Sequence, residues 1–411
     1  MNRRPSLLVI FLTVFIDLVG FGIVLPLLPI FAKNLDASGL VIGCLMGVYS
    51  AMQFLFAPVW GRWSDRIGRR PILLVSTAGA AISYALFAIA CGKTGTAALV
   101  LIFAARTFAG ICGANITVAQ AYIADITPPE DRSKRMALIG VAFGLGFMFG
   151  PAIGGLGMKF GGITAPGWIA AGLCALNFIF TFVRLPESWK PGTASAARPR
   201  FEHFMETMRR PGIAVLVTVF FFATFCFAAF ETTLGLLVSQ NFGLKFENIK
   251  GVYTFDPKIS YLYAFCAAIG ILVQGGLIGR LVKKFGEPLL IVLSLVLAAV
   301  SLAPMPYFAT WTPLLLALAV LSVGSSLTRA PVFGMLSNLT PPAEQGATIG
   351  VAQSMGSLAR IFGPIFAASL LDVHPTLPYL ICGGISLLTA VFAWQYLHRA
   401  APSTAAASAQ K

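Results

Sequence analysis

Five ionisable side chains lie inside long apolar stretches of this sequence: Asp17, Arg106, Glu231, Arg329 and Arg360. An Asp or Arg at the centre of a membrane-spanning helix costs about 2.5–3.5 kcal/mol on insertion scales, so such residues usually face a cavity or a partner. Burial favours the neutral form of a carboxylate and a nearby arginine favours the charged form. The pattern therefore predicts that Asp17 and Glu231 carry protons, assisted by Arg106. A buried structural ion pair is the alternative.

Polar side chains that could line a ligand pocket in the same stretches are few. We assign this role to six residues: Gln53, Asn115, Gln120, Arg329, Gln353 and Arg360. The remaining candidates are aromatic, notably the run "VFFFATFCFAAF" at 219–230 and the pair Tyr261 and Tyr263. An apolar pocket with few polar anchors suits a lipophilic or amphipathic small molecule. Phe-rich runs also form packing or lipid-facing surfaces, and that interpretation stays open here.

The elements that carry these residues are long apolar segments. The chain has 411 residues, of which 57% are hydrophobic and 11% are charged, too little charge to cover a soluble domain. We predict an all-α polytopic membrane protein with twelve transmembrane helices, numbered as spans 1 to 12. Their expected limits are 6–31, 40–60, 71–91, 97–124, 136–158, 166–185, 212–240, 259–280, 288–308, 311–336, 346–371 and 377–397. The first span is too long for the apolar region of a cleaved secretory signal.

Basic residues concentrate in alternate loops. With both termini on the cytoplasmic side, the cytoplasmic segments hold 20 of the 29 Lys and Arg, and the outer loops hold six. This positive-inside asymmetry predicts the topology. The net charge of +14 therefore indicates contact with an anionic bilayer surface rather than with nucleic acid. We expect a plasma-membrane protein, in bacterial terms an inner-membrane protein, that is monomeric.

An internal repeat divides the chain into two halves. "TPPEDRSKRMALIGVAFGLGFMFGPAIGG" begins at Thr127, and "TPPAEQGATIGVAQSMGSLARIFGPIFAA" begins at Thr340. "GRWSDRIG" at 61–68 similarly resembles "GRLVKKFG" at 279–286. We predict a parallel repeat of two six-helix bundles, residues 1–185 and 212–400. A cytoplasmic linker at 186–211, rich in Pro, Ala, Ser and charge, and a disordered tail at 401–411 complete the chain.

Enzyme chemistry is not indicated. The seven cysteines lie in or beside apolar runs without a C-x-x-C pair, and none of the three histidines lies inside a span. We find no phosphate-binding loop with its lysine, no nucleophile with a base, and no metal-ligand cluster. We therefore expect no metal and no cofactor, with the proton as coupling ion.

A dense charge cluster, "GRWSDRIGRRPILL" at 61–74, joins spans 2 and 3. It closely resembles the loop signature of the major facilitator superfamily, G-x-x-x-D-R-x-G-R-R. "RTFAGICG" at 106–113 is similar to its span 4 motif R-x-x-x-G-x-x-G, and "GFMFGPAIGG" at 146–155 resembles the pattern of its antiporters. The residues that carry the antiporter motif are Gly146, Gly150, Pro151, Gly154 and Gly155. Close helix approach and a local kink follow from such glycines and a proline.

The resemblance implies a gating role for the charged loop. The residues concerned are Gly61, Asp65, Arg66, Gly68, Arg69, Arg70 and Asp125. By resemblance, Asp65 rests against the N-terminus of span 11 and the arginines engage Asp125, which stabilises the outward-open form. A plain topology anchor is the alternative.

Within the superfamily, the chain is most similar to bacterial drug:proton antiporters of the tetracycline-efflux group. The supporting segments are "FIDLVGFGIVLPLLP" in span 1 and "AYIADITPPEDRSKRMALIGVAFGLG". Ser83, Gly270 and Ala298 stand where tetracycline pumps have ionisable residues, so this substrate is not implied. We expect a secondary transporter that exports a lipophilic or amphipathic compound in exchange for protons. A uniporter or symporter for an endogenous metabolite or lipid is the alternative, and a receptor or channel would gain little from the embedded charges.

Overall fold

The computed structural model describes residues 6–128, 132–189, 200–244, 247–249, 252–254, 256–341 and 344–400. Within these residues twelve helices are long and apolar enough to cross a membrane. Their bounds are Leu7–Asn34, Gly39–Ile67, Arg69–Cys91, Gly95–Asp125, Leu138–Gly161, Ala165–Arg184, Pro211–Asn241, Lys258–Phe285, Glu287–Tyr307, Trp311–Asn338, Ala347–Val373 and Leu377–Leu397. The predicted all-α membrane fold is confirmed. A small antiparallel hairpin, β1 (Glu247–Ile249) and β2 (Val252–Thr254), lies between spans 7 and 8.

Alternate loops define two ends of the molecule. We call the end that carries residues 61–70, 184–189 and 280–287 the basic end, and the other the opposite end. The charged cluster at 61–70 is not a loop, because span 2 stays helical to Ile67 and span 3 begins at Arg69. Gly68 alone separates them, with a φ of 103° that favours glycine, and Gly286 at 77° does the same between spans 8 and 9.

The segment predicted as a linker is partly folded. Residues 186–189 continue from span 6 and are bound to the first bundle, whereas a helix at Arg200–Met208 precedes span 7. Phe204 and Met208 of this helix pack on the core of the second bundle. Both ends of the predicted linker 186–211 therefore contact a bundle, and its role as the connection between the two bundles stays a prediction. Residues 190–199 and the predicted tail 401–411 lie outside the described residues.

The two bundles meet at the opposite end through spans 2 and 11. Gly39, Gly43 and Gly47 recur every four residues on span 2 and face the backbone of span 11. A Cβ atom at Gly43 would lie 2.5 Å from the Cα of Ile365. Such small-residue stripes let two helix backbones approach closely. Spans 5 and 8 make the second contact between the bundles.

The same four spans separate toward the basic end. One glycine in the basic half of each would find no atom within 4 Å if it carried a Cβ: Gly61, Gly140, Gly279 and Gly350. The residues 274–277 of span 8 are exposed there. In the described residues, the two bundles are thus in contact at the opposite end and apart at the basic end.

We predict that Gly43→Ala forces spans 2 and 11 apart at the opposite end, because the new methyl group would collide with backbone that cannot rotate away. Spin labels at Asn34 and His374, on a chain whose cysteines have been replaced, should report a longer distance by pulsed electron resonance. The matched variant Gly350→Ala adds the same methyl group to span 11 where the space is open. An unchanged distance in Gly43→Ala would contradict the assignment of this stripe.

Candidate functional site

Asp17, Gln53 and Asn115 lie close together in the first bundle. The Asn115 Nδ2 donates a hydrogen bond of 3.3 Å to Asp17 Oδ2. The Gln53 amide donates to the Tyr49 hydroxyl at 3.0 Å and to the Gly113 carbonyl at 2.9 Å. A single 3₁₀ turn, Gly113–Asn115, interrupts span 4 and presents both the carbonyl and the amide. This break in span 4 therefore positions the polar groups around Asp17.

Arg106 is buried without a carboxylate. Only 2% of it is exposed, and its guanidinium lies over the rings of Tyr49, at 4.6 Å, and Phe21, at 5.6 Å. Its Nε and Nη1 atoms have no hydrogen-bond partner among the residues that the structure describes. Stacking of a cation on an aromatic ring contributes about 0.5–2 kcal/mol of favourable free energy. This is less than the hydration free energy that a cation loses when it is buried. The sequence predicts that Arg106 assists proton transfer by Asp17. In this structure the two side chains do not form an ion pair.

The second bundle presents Glu231 on span 7 and Arg360 on span 11. Their charges interact, but no carboxylate oxygen lies within 4.0 Å of a guanidinium nitrogen in this pair. The Tyr263 hydroxyl donates to the Glu231 backbone carbonyl at 2.5 Å. Arg360 reaches the Ser357 hydroxyl at 3.5 Å. Glu231 therefore keeps its carboxylate free of direct partners in the part of the chain that the structure describes.

Tyr49 lies between the two groups and was missed by sequence reasoning. Its phenol lies within electrostatic range of Asp17, Arg106 and Arg360, which belong to both bundles. Nothing in the sequence distinguishes this tyrosine from other aromatic residues, apart from its position four residues before Gln53. Its importance follows only from the way spans 1, 2, 4 and 11 converge.

The other residues predicted to line the ligand pocket make fewer contacts with the groups around Asp17 and Glu231. Gln120 and Gln353 are partly buried, and their side chains make no hydrogen bond with any described residue. Phe220 packs on Phe333 at 5.1 Å, and Phe225 packs on Phe366 at 5.2 Å. At these positions the phenylalanine run serves packing between spans 7, 10 and 11, as the alternative interpretation held.

The glycine motif of span 5 packs against span 1. A Cβ at Gly150 would lie 2.7 Å from the Cα of Gly22, and one at Gly154 would lie 2.7 Å from the Ile23 carbonyl oxygen. Gly146 faces Leu18 in the same way. The seam brings two backbones together directly beside Asp17, which precedes Leu18 in span 1.

Gly155 faces the other bundle instead. A Cβ there would lie 2.8 Å from the Cβ of Ser260 on span 8, so this glycine permits the contact between bundles at the opposite end. The helix of span 5, Arg132–Gly161, continues through Pro151. In the repeat, Gly363 takes the place of Gly150 and lies against the Phe225 carbonyl of span 7. Both halves thus use the same seam.

The basic end of the first bundle holds a charged cluster. Arg69 is buried, and its Nε lies 3.1 Å from Asp125 Oδ2 while its Nη1 lies 2.7 Å from the Ser64 hydroxyl. Nη1 also pairs with Asp65. The predicted contact of a loop arginine with Asp125 is present. Asp65, expected against the N-terminus of span 11, instead pairs with Arg69 and is half exposed, since the bundles are apart at this end.

Glu187 completes this cluster from the segment predicted as a linker. Its carboxylate accepts hydrogen bonds from the backbone amides of Arg69 at 2.9 Å and Arg70 at 3.1 Å, at the N-terminus of span 3. A carboxylate there is stabilised by the helix dipole. The Arg70 guanidinium donates to the Phe182 carbonyl at 2.8 Å. Arg66 is exposed to solvent.

A second contact that the sequence did not indicate joins the bundles at the opposite end. Lys33 Nζ lies 3.1 Å from Asp372 Oδ1, and the Gly39 backbone amide donates to Asp372 Oδ2. Lys33 lies at the end of span 1, Gly39 begins span 2 and Asp372 lies at the end of span 11, so one carboxylate holds two parts of the first bundle. This contact adds to the glycine stripe of span 2.

The three positions that depart from the tetracycline-pump pattern carry no ionisable group. Ser83 is buried and donates to the Ala80 carbonyl at 2.8 Å. At Gly270 a Cβ would lie 3.3 Å from the Ser326 hydroxyl. Ala298 packs at the edge of the main core. These sites offer nothing that could bind a proton.

Comparisons with known proteins agree with this architecture. A family model described as Major Facilitator Superfamily matches residues 10–308 and 253–411. The class C tetracycline resistance protein of Escherichia coli is 34% identical over 386 residues, which cover 90% of each chain. Multidrug resistance protein 2 of Bacillus subtilis (strain 168) is 27% identical, with 94% of each chain covered.

Solved structures match over nearly the whole chain. The structure of the human organic anion transporter MFSD10 (TETRAN) has a TM-score of 0.68 at 25% identity, and covers 94% of this chain and 98% of that one. The nucleoside transporter NupG has a TM-score of 0.76 at 15% identity, with 95% and 99% covered, and so shares the fold.

We predict that Arg69→Gln destabilises the protein, because Asp125 and Ser64 would lose a buried partner. Removing one member of a buried pair costs about 3–5 kcal/mol, and the partial exposure of Asp65 and Asp125 reduces this to roughly 1–3 kcal/mol. Thermal unfolding in detergent should show a lower Tm. The exposed Arg66→Gln removes the same charge four residues from Arg70 and should leave the Tm within error. Equal shifts in the two variants would contradict a structural role for Arg69.

Proposed function

The chain belongs to the major facilitator superfamily, and we propose that it is a proton-coupled antiporter that exports a lipophilic or amphipathic small molecule by alternating access. In this proposal the proton is the coupling ion, no other cofactor is needed, and the protein works as a monomer without catalytic activity. The basic end faces the cytoplasm of a bacterial cell, so both termini are cytoplasmic and the form described is open inward.

One observation carries the proton-coupling part of the proposal. Each bundle holds one carboxylate far from the ends of its span, Asp17 and Glu231, and neither has a cation within 4.0 Å among the described residues. Charged groups at such depth are expensive unless they are hydrated or paired, so their protonation depends on access to water. A carboxylate that is hydrated from one side of the membrane in the inward-open form and from the other side in the outward-open form can bind a proton on one side and release it on the other.

Alternating access is supported by how the two ends are built. The opposite end is held by the glycine stripe of span 2 and by the Asp372 contact, while the basic end is open. Export requires the reverse arrangement in part of the cycle. Asp65 at the basic end is half exposed, so it can exchange the buried Arg69 for another partner when the bundles close there.

The relatives favour export over import. Proteins named for multidrug and tetracycline resistance match over about nine-tenths of the chain. Tetracycline itself is not assigned, because Ser83, Gly270 and Ala298 lack ionisable side chains. Those same departures favour the second candidate, a uniporter or symporter for an endogenous metabolite or lipid.

We predict that Asp17→Asn and Glu231→Gln each reduce proton-driven transport to the level of protein-free liposomes, since an amide cannot carry the proton. The measurement is uptake of three probes, tetracycline, ethidium and naphthylacetate, into proteoliposomes with and without an imposed pH gradient. Asp36→Asn and Glu206→Gln are matched controls, because both acids are exposed and lie outside the spans. They should transport like the parent protein.

The same assay distinguishes the antiporter from the uniporter or symporter. A gradient that accelerates no probe in the parent protein would exclude the antiporter. Downhill exchange that persists without dependence on pH would then support facilitated diffusion. Coupled transport that survives in both acid variants would remove Asp17 and Glu231 from the mechanism.

We also predict that Asp372→Asn increases the time for which the opposite end is open. An exposed ion pair contributes about 0–1 kcal/mol and a hydrogen bond to a charged group about 1.5–3 kcal/mol, so opening should become several-fold more frequent. A cysteine at Ile361, which packs on Gly47, should react faster with an impermeant maleimide added outside. Asp256→Asn is the control, because Asp256 pairs with Lys258 within one bundle. A rate equal to that control would refute the role of Asp372.

A further inference from the structure

A groove of about 280 Å³ lies between the beginnings of spans 8 and 10 at the opposite end. We call it the Trp311 groove. Its lining is apolar and aromatic with one cation, and consists of Lys258, Tyr261, Leu262, Trp311 and Leu315. The Trp311 ring packs on Phe242 at the end of span 7, with ring centres 4.1 Å apart, and this contact fixes one wall of the groove.

The groove lies on a face of span 8 that its packed neighbours do not cover. Ser260 meets Gly155 of span 5, and Ile259 meets Gly235 of span 7. With 3.6 residues per turn, the next side chain, Tyr261, lies on another face of the helix, and 39% of it is exposed. The sequence suggested Tyr261 as an aromatic lining residue of the ligand pocket, and the structure places it in this groove. An exposed tyrosine near the end of a span lies at the membrane interface, so the groove opens toward lipid.

Two opposite charges lie side by side at the rim of the groove. Lys258 Nζ lies 2.8 Å from Asp256 Oδ2 and 5.9 Å from the centre of the Trp311 ring. Asp256 Oδ1 also accepts a hydrogen bond of 2.9 Å from the backbone amide of Lys258. The Lys258 and Asp256 side chains are 55% and 29% exposed, so a ligand can reach both.

Both side chains keep hydrogen-bonding capacity after they form this pair. An ammonium has three donors, and a carboxylate has about four acceptor positions. The pair is therefore complementary to a ligand that carries an anion and a protonated amine side by side. The apolar groove beneath the pair is complementary to a hydrocarbon tail on the same ligand.

We infer that the Trp311 groove binds a zwitterionic phospholipid with a primary amine, phosphatidylethanolamine, from the membrane leaflet at the opposite end. The phosphate binds Lys258, the ammonium binds Asp256, and one acyl chain lies against Trp311, Tyr261 and Leu315. The depth is suitable, because Lys258 is the first residue of span 8 and Trp311 is the first residue of span 10, where lipid headgroups lie.

The headgroup chemistry separates this lipid from two others with the same phosphate. Phosphatidylglycerol has no ammonium, so Asp256 would repel its net negative charge. Phosphatidylcholine has an ammonium with three methyl groups, which cannot donate a hydrogen bond to a carboxylate. This lipid site is independent of the coupling ion and of the transported substrate.

The test is lipid binding to the purified, delipidated full-length protein, measured by native mass spectrometry in detergent. The probes are the dioleoyl forms of phosphatidylethanolamine, phosphatidylcholine and phosphatidylglycerol, which share their acyl chains and differ in the headgroup. We expect the first phosphatidylethanolamine to bind roughly threefold to tenfold more tightly than either of the other lipids, the effect of one partly exposed charged hydrogen bond. Lys258→Gln should weaken the binding of all three lipids, and Asp256→Asn should remove the preference for phosphatidylethanolamine.

Matched variants separate the site from general surface charge and from folding. Lys93→Gln and Asp36→Asn remove exposed charges of the first bundle at the same end and should leave all three affinities unchanged. Lys258→Arg keeps the charge and should keep the binding of all three lipids. Leu315→Trp fills the groove and should weaken all three lipids alike. Because the site lies within the second bundle, none of these changes should alter the contact of Asp372 with the first bundle.

Three outcomes would overturn the inference. Equal affinities for the three lipids, unchanged in the Lys258 and Asp256 variants, would show only the lipid that surrounds any membrane protein. Tighter binding of phosphatidylglycerol would exclude recognition of the amine by Asp256. A change in the proportion of dimer in Leu315→Trp, with lipid binding unchanged, would assign the groove to a second copy of the chain.

Discussion

Charged side chains at mid-membrane depth can exist only where water or a partner reaches them, and this constraint organises the whole molecule. Asp17, Glu231 and Arg360 lie well inside their spans and form no direct ion pair with any described residue. Such residues require a cleft, and a cleft in a helical membrane protein requires two bodies that meet at one end and separate at the other. Spans 2, 5, 8 and 11 provide that arrangement, because their glycines allow contact at the opposite end and leave the basic end open.

The two halves of the internal repeat share the glycines and prolines that determine the backbone path, but they differ at charged positions. Gly68 and Gly286 hold the same left-handed conformation between paired spans, and the Gly-Pro pairs at 150–151 and 363–364 hold equivalent seams. By contrast, the position of Arg69 is taken by Glu287, whose carboxylate accepts a hydrogen bond of 3.5 Å from Asn338. Packing thus constrains both halves alike, whereas among the described residues a buried guanidinium between two acids is found in the first half, at Arg69.

Features set by local sequence could be predicted, and features set by distant contacts could not. Span number, the repeat and the closeness of the Gly150 seam follow from hydropathy and glycine spacing, which are local. The Lys33–Asp372 pair joins residues 339 positions apart, and its members are ordinary loop charges until the bundles meet. Glu187 was assigned to a polar linker because composition gives no sign that it caps span 3. The stripe of Gly39, Gly43 and Gly47 was not recognised in the sequence, because small residues at this spacing do not show which helix they face.

The closed end is held weakly compared with the charges that would drive it open. Lys33 and Asp372 are 55% and 37% exposed, so their ion pair contributes about 0–1 kcal/mol. The Gly39 amide hydrogen bond to Asp372 adds about 1.5–3 kcal/mol, and the glycine stripe adds mainly van der Waals contact. Shifting a two-state equilibrium from 1:99 to 99:1 requires about 5.5 kcal/mol. Placing one acid at the centre of a span costs about 2.5–3.5 kcal/mol on insertion scales, so the cost for two acids, one in each bundle, is of the same order as that requirement. A single acid would leave the equilibrium incompletely shifted, which gives a physical reason for both Asp17 and Glu231 in the proposed cycle.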